Sequence, residues 1–144
     1  MTTSKFMNYF NTTLIFLLAA LFIYAGVGKI VNPADFVEDI DNYRILPYLL
    51  VSIAAIILPW LEVISGISLI WGKFRTGALF IILGLSVLFL IAISSALIRG
   101  LDISCGCFSA NNEATRIGLL KFVENILLLC AATYLYFQSV NERL

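Results

Sequence analysis

Apolar residues occur in four long runs along this chain, separated by short polar stretches. The runs cover about residues 12–31, 49–71, 77–98 and 117–137. A helix of about 20 apolar residues crosses the hydrocarbon core of a bilayer, so each run is long enough to span a membrane. In lipid the backbone polar groups must be satisfied internally, which favours helices. The pattern therefore predicts an all-α membrane protein, an antiparallel bundle of four transmembrane helices.

The composition supports a chain surrounded by lipid. It is 61% hydrophobic and 12% charged, whereas soluble domains carry about 25% charged residues. We therefore expect residues 1–144 to form a single four-helix membrane domain, with no separate soluble domain. Net charge is zero and basic residues form no block, which argues against nucleic acid as a partner. The lipid bilayer is the first expected partner.

The first run has one feature of a secretory signal peptide, because Lys5 precedes it. The run is long for such a peptide, however, and Lys29 follows it without a clear cleavage site of small residues. We therefore expect the first run to be retained as a membrane span.

The polar stretches predict the topology. Asn32 and Pro33 are typical of a helix start, so a short amphipathic surface helix is expected over residues 34–42, ended by Pro47. The stretch between the second and third runs is so short that these two helices must form a hairpin. It contains Lys73 and Arg75, and this local basic density favours the cytoplasmic side. Both termini are then cytoplasmic, in the inner (plasma) membrane of a bacterium.

Cys105 and Cys107, separated only by Gly106, lie between the third and fourth runs. Glycine tolerates the backbone torsions that a disulfide between such close cysteines demands. A ring this small adds little stability, so redox chemistry explains the pair better than a structural disulfide does. Two incidental thiols and half of a metal site remain as alternatives. The chain has no histidine, so no metal ligand set is expected. An oxidising compartment, the periplasm, suits the pair.

Glu62 is an ionisable residue near the middle of the second run, three residues after Pro59. A charged group at such a depth costs about 2.5 kcal/mol or more and usually faces a partner or a cavity. Ser52, Ala55, Pro59, Glu62 and Gly66 share one helical face. Two interpretations remain open: a glutamate that holds the bundle together, and a proton-relay or quinone-side role.

Three further residues are candidates for supporting roles. Lys29 and Lys121 lie at the same side of the membrane as the cysteines, and Glu124, with its neighbour Asn125, lies one turn from Lys121. A nearby cation would favour the thiolate form of a cysteine. For each lysine taken alone, snorkelling to the interface is the simpler explanation. Cys130, in the middle of the fourth run, is expected to be a packing residue.

Several short motifs together resemble the DoxX-like superfamily, and within it the MauE group. They are Ala25-Gly26-x-Gly28-Lys29, Asn32-Pro33 with Phe36, Tyr43-Arg44-Ile45-Leu46-Pro47, Pro59-Trp60-Leu61-Glu62 with Gly66, and the segment from Arg99 to Phe108 that contains Cys-Gly-Cys-Phe. The resemblance covers nearly the whole chain. One departure is Ser109, where the family often has glycine after this motif.

The resemblance implies an integral inner-membrane protein connected with disulfide chemistry. MauE is linked to maturation of methylamine dehydrogenase, whose small subunit is rich in disulfides, and other relatives work beside thioredoxin-like partners or in membrane oxidoreductase complexes. The architecture is also similar to bundles of the vitamin K epoxide reductase and DsbB type, which pass electrons to a quinone. Those proteins use further cysteine pairs, so a complete relay to a quinone is not implied here.

The sequence thus leads to one functional hypothesis with two rivals. Cys105 and Cys107 form a periplasmic thiol–disulfide couple that exchanges electrons with a thioredoxin-like protein or assists maturation of an exported client. The first rival is a quinone-linked oxidoreductase subunit, with quinone as cofactor near Glu62 and Pro59. The second is a non-enzymatic structural subunit of a larger membrane complex. Whether the chain is itself an oxidoreductase stays open.

Overall fold

The computed structural model describes residues 2–100 and 113–142 of the chain. Five α-helices occur in these ranges: α1 (Thr2–Val31), α2 (Pro33–Asn42), α3 (Tyr48–Ile70), α4 (Arg75–Ile98) and α5 (Glu113–Asn141). A short 3-10 turn, Gly72–Phe74, joins α3 to α4. Among the described residues, four helices are long and apolar enough to cross a membrane, and they correspond to the four runs of the sequence. The predicted all-α membrane bundle is confirmed.

The four long helices pack in the order α1, α3, α4, α5 around the bundle. The closest associations are those of α1 with α3 and of α4 with α5, so the bundle consists of two helix pairs. Asn11 of α1 donates a hydrogen bond to Gln138 of α5, and Thr76 of α4 contacts Ser139 of α5. These contacts define one end of the bundle, called here the terminal end; the other end, where α2 lies, is called the α2 end.

The interior of the bundle is mainly apolar. A cluster of buried side chains from all four long helices fills it: Ile15, Leu18, Ala19, Phe22, Leu69, Ala78, Leu79, Ile82, Leu85, Ala132 and Leu135. Many large apolar side chains face outward, as expected for a bundle surrounded by lipid. Burial of these inward side chains, together with the short connection between α3 and α4, brings the helices together in the order α1, α3, α4, α5.

Helix α1 is longer than the first apolar run, since it begins at Thr2 and not near residue 12. Helix α5 likewise begins at Glu113, before the predicted residue 117. Hydropathy indicates the part of a helix that lies in lipid, whereas a helix can continue past that part with polar residues. Residues 4–10, within the extra turns at the start of α1, are exposed.

Helix α2 begins at Pro33, as the sequence pattern indicates, although the side chain of Asn32 makes no capping hydrogen bond. The prediction that Pro47 ends this helix is wrong. The helix stops at Asn42, Arg44 adopts a left-handed backbone with φ 50°, and Pro47 is the residue that precedes α3. Phe36 is the buried residue of α2 and anchors this helix to the bundle.

Candidate functional site

Lys29 and Glu62 form an ion pair between α1 and α3. The Nζ atom of Lys29 donates a hydrogen bond of 2.6 Å to Oε1 of Glu62. The Glu62 side chain is 3% exposed and that of Lys29 is 25% exposed. Lys29 therefore points into the bundle, and the expectation that it snorkels to the membrane surface is wrong. A buried carboxylate requires a partner of this kind, which explains the direction of the lysine.

Two aromatic rings also face the Lys29 ammonium. Its Nζ atom lies 5.0 Å from the ring centre of Phe36 in α2 and 4.8 Å from that of Phe89 in α4. Both distances are within the range of cation–π attraction, which is stronger where water is excluded. A single ammonium thus contacts side chains from α2, α3 and α4.

Close approach of α1 and α3 places this pair. A Cβ atom added to Gly26 would lie 2.8 Å from the carbonyl oxygen of Pro59 and 3.1 Å from Cβ of Glu62. A Cβ atom added to Gly66 would lie 3.0 Å from the carbonyl oxygen of Ala19. Glycine at both positions therefore lets the two backbones meet, as small residues do at helix interfaces in membranes.

Glu62 keeps one unused hydrogen-bonding atom. Its Oε2 atom is buried and has no hydrogen-bond partner among residues 2–100 and 113–142. Ser65 donates its hydroxyl to the backbone carbonyl of Glu62 and not to the carboxylate. The carboxylate can therefore accept one more hydrogen bond, from water or from another group, without losing Lys29.

Pro59 is fully buried, and α3 continues through it. The predicted inward face of α3 is largely present, since Ala55, Pro59, Glu62 and Gly66 are buried. In the described part of the chain, an open groove of about 450 Å³ runs along α4 near Arg99 and a cavity of about 130 Å³ lies at the terminal end. Glu62 and Pro59 line neither of these two.

Cys105, Gly106 and Cys107 lie outside the described residues. They are flanked by the end of α4 at Ile98 and the start of α5 at Glu113. Both of these helix ends belong to the α2 end of the bundle. Arg99 links this region to the turn before α3, since its guanidinium donates hydrogen bonds to the carbonyl oxygens of Tyr43 and Arg44. Two motifs that are distant in sequence thus meet at the α2 end.

Lys121 and Glu124 pair with each other and not with Lys29 or Glu62. Lys121 and Glu124 form an exposed ion pair of 3.6 Å along α5, as their spacing indicates. The expectation that Cys130 packs inside the bundle is wrong, because its side chain is exposed. In a helix surrounded by lipid both faces are apolar, so hydropathy does not distinguish an inward cysteine from an outward one.

The sequence did not predict two polar contacts between helices, although it places Asn125 close to Lys121. Asn125 is buried and donates its side-chain amide to the carbonyl oxygen of Ser86, at 3.1 Å, which joins α5 to α4. Asn11, Arg75 and Ser139 come together at the terminal end. The available signal was the presence of polar residues near the same end of three separate apolar runs.

Four long apolar helices and an ion pair buried between two of them define a multi-pass membrane protein of the all-α bundle class. The resemblance noted in the sequence agrees with this class. The chain belongs to the family described as Methylamine utilisation protein MauE, whose sequence model matches residues 7–138.

Three relatives named Methylamine utilization protein MauE are similar to this chain. That of Methylophilus methylotrophus is 31% identical over 136 residues, which are 90% of this chain and 70% of the relative. That of Paracoccus denitrificans is 28% identical, over 80% of this chain and 62% of the relative. That of Methylorubrum extorquens is 36% identical, over 70% of this chain and 53% of the relative. The chain thus matches between about half and 70% of each relative's length. No solved structure matches it.

Proposed function

We propose that the chain is a membrane-bound thiol–disulfide exchange protein in which Cys105 and Cys107 are the reacting residues. The observation that carries this proposal is the Cys-Gly-Cys sequence itself, placed between two membrane-spanning helices. The helix ends on either side of it belong to the α2 end of the bundle. A thiol pair at the edge of a membrane is accessible to a partner protein and suits exchange better than stabilisation.

The proposed reaction transfers one disulfide between two proteins. A thiolate of Cys105 or Cys107 attacks a partner disulfide, which forms a mixed disulfide and releases one partner thiolate. The second cysteine then attacks the mixed disulfide and releases the other partner thiolate. The chain is thereby oxidised by two electrons and the partner is reduced by two. The reverse sequence of steps introduces a disulfide into a client.

The partner is an extracytoplasmic thioredoxin-like protein or an exported client. The relatives carry the name methylamine utilization protein, and we extend that pathway to this chain, with methylamine dehydrogenase as the type of disulfide-containing client. The proposed location is a bacterial inner membrane with both termini in the cytoplasm. The basic residues Lys73 and Arg75 between α3 and α4 support that orientation.

The Lys29–Glu62 pair supports the site from within the bundle. It binds α1 to α3 and, through Phe36 and Phe89, engages α2 and α4 at the α2 end. We propose that Glu62 and Lys29 act as positioning residues for the helices that carry the cysteine segment, and that Glu62 Oε2 accepts a hydrogen bond from a proton-carrying group. Pro59 and Gly106 shape the backbone, whereas Lys121 and Glu124 contribute charge at the surface of α5.

Redox labelling in intact cells tests the proposal. Cys130 is exposed on the outside of the bundle, so Cys130→Ala removes background labelling without opening a cavity. A membrane-impermeant maleimide should label Cys105 and Cys107 only after reduction. Exchange also predicts that one of the two single variants, Cys105→Ser or Cys107→Ser, traps a mixed disulfide with the partner, namely the variant that lacks the resolving cysteine.

Different outcomes distinguish the proposal from its rivals. Labelling without prior reduction would mean free outward thiols, and absence of labelling in both conditions would place the motif elsewhere. A structural subunit predicts that the Cys105→Ser, Cys107→Ser double variant leaves the redox state of every client unchanged. A quinone-linked subunit predicts that Glu62→Gln abolishes quinone reduction while the mixed disulfide still forms.

A further inference from the structure

The terminal end of the bundle contains a second polar site, far from the Lys29–Glu62 pair. It is formed where α1, α4 and α5 meet. A cavity of about 130 Å³ lies between these helices, with Asn11, Arg75, Gln138, Ser139 and Glu142 in its wall. One water molecule occupies about 30 Å³ in the liquid, so the cavity can hold a small polar group.

Two buried atoms in this wall lack a hydrogen-bond partner within the described parts of the chain. One is the acceptor Oδ1 of Asn11 and the other is the donor Nε of Arg75. Asn11 is only 9% exposed, and its amide nitrogen is already used by Gln138. A buried polar group without a hydrogen-bond partner destabilises the folded state. An occupant that both accepts and donates hydrogen bonds would satisfy the two atoms together.

The charges of the wall match an occupant with two opposite charges. The Arg75 guanidinium is positive and the Glu142 carboxylate is negative. Arg75 is also the first residue of α4, and a helix N-terminus favours an anion. An acid alone would meet Glu142, and an amine alone would meet Arg75. A phosphate joined to an ammonium complements both.

The position of the cavity identifies the source of such a group. Arg75 begins α4, and Ser139 and Glu142 lie around the end of α5 at Asn141. The wall is therefore at the level where the membrane-spanning helices end, which is the level of lipid head groups. Arginine can bind phosphate oxygens through more than one N–H group. At this depth the Arg75 guanidinium can reach the phosphate of a lipid head group.

We propose that this cavity binds the phosphoethanolamine head group of a membrane phospholipid. The phosphate oxygens accept hydrogen bonds from Arg75, including its Nε. The ammonium donates to Oδ1 of Asn11 and faces the carboxylate of Glu142. The acyl chains remain outside, against the apolar surface of the bundle. This site is independent of the thiol chemistry proposed above.

Native mass spectrometry of the full chain tests the proposal. The detergent-purified protein is mixed with phosphatidylethanolamine, phosphatidylglycerol or phosphatidylcholine with identical acyl chains. We expect phosphatidylethanolamine to be retained about tenfold more than either other lipid, from the strength of charge-assisted hydrogen bonds. Equal retention of the three lipids would overturn the proposal and leave the cavity to water. Displacement of the lipid by soluble glycerophosphoethanolamine at matched concentration would contradict the proposal that the head group comes from a membrane lipid.

Two variants test the two charges separately, and a third is the control. Arg75→Gln should lower retention of phosphatidylethanolamine about tenfold. Glu142→Gln should remove the preference over phosphatidylglycerol while binding persists. Lys73→Gln changes a neighbouring cation in the turn before α4 that is not part of the wall, and it should leave the preference unchanged. If Arg75→Gln does not fold, Glu142→Gln decides. Glu142 is exposed, and a loss of the preference for phosphatidylethanolamine in this variant is specific to the head group.

Discussion

The ammonium of Lys29 lies 2.6 Å from a carboxylate oxygen of Glu62 and joins α1 to α3 inside the bundle. Because one partner is almost fully buried, each charge depends on the other. Removing a single partner of a buried pair leaves an uncompensated charge, whereas replacing both by neutral residues of similar shape is often tolerated. The pair is therefore open to a double-mutant test.

Lys29→Met should destabilise the protein by about 3–5 kcal/mol, the usual cost of breaking a buried ion pair. Glu62→Gln should cost less, because Lys29 is partly exposed and can turn outward. The double variant Lys29→Met, Glu62→Gln should recover most of the loss. Thermal unfolding in detergent, followed by circular dichroism, measures all three. Additive losses in the double variant would show that the two residues do not depend on each other.

Substitution of the glycines at the α1–α3 contact should loosen this helix pair. Gly66→Ala brings a Cβ atom within 2.7 Å of Ile23 Cγ1 and 3.0 Å of the Ala19 carbonyl oxygen, so the helices must separate. We expect a loss of about 1–3 kcal/mol, as for other overpacked sites. Gly84→Ala is the matched control, because nothing lies within 4 Å of its Cβ position. It should be neutral or raise stability by up to about 1 kcal/mol.

Asp39 should make the stability of the protein depend on pH. Burial and the carboxylates of Asp35 and Glu38 raise the pKa of Asp39 above its usual value of 3.8, and Lys29 opposes them. The folded state therefore holds this proton more tightly than the unfolded state. The stabilising contribution is complete below the unfolded pKa and is lost as pH rises through the folded pKa.

Asp39→Asn should consequently raise the unfolding temperature at neutral pH and have little effect near pH 3. Asp41→Asn, an exposed change in the same helix, provides the comparison and should show a smaller gain. Unfolding temperatures measured across this pH range test the difference. A stabilisation by Asp39→Asn that is the same at both ends of the range would contradict it.

Arg99 should hold the turn between α2 and α3. Its guanidinium donates to the carbonyl oxygens of Tyr43 and Arg44, and Arg44 has a left-handed backbone. Hydrogen bonds from a charged group contribute about 1.5–3 kcal/mol, so Arg99→Gln should accelerate amide exchange in this turn by about tenfold or more. Lys121→Gln, an exposed change whose ion-pair partner lies in α5, should leave exchange in the turn unaltered.

Hydropathy was sufficient to predict the four membrane helices but not their ends. Helix α1 starts at Thr2 because a segment of mixed polar and aromatic residues, exposed over residues 4–10, continues it beyond the apolar run. The outward position of Cys130 was also missed, since the bundle and the lipid are equally apolar around it. Apolarity predicts that a segment lies in the membrane, and packing decides which way its side chains point.

The sequence identified Lys29 and Glu62 separately but did not pair them. Their contact depends on the register of α1 against α3, which is set by the close approach at Gly26 and Gly66. The glycines indicate that a neighbouring helix can approach closely, but the register is a property of two helices together and cannot be determined from either run alone. The inward face of α3, by contrast, was predictable from helical spacing alone.

The 3-10 turn at Gly72–Phe74 joins two helix pairs that each have their own close interface. A protease site inserted there would cut the chain without disrupting either α1 with α3 or α4 with α5. The two fragments, made in the same cell, should reassemble by complementation. Two contacts at opposite ends of the bundle would then align the fragments: Lys29 with Phe89, and Asn11 with Gln138.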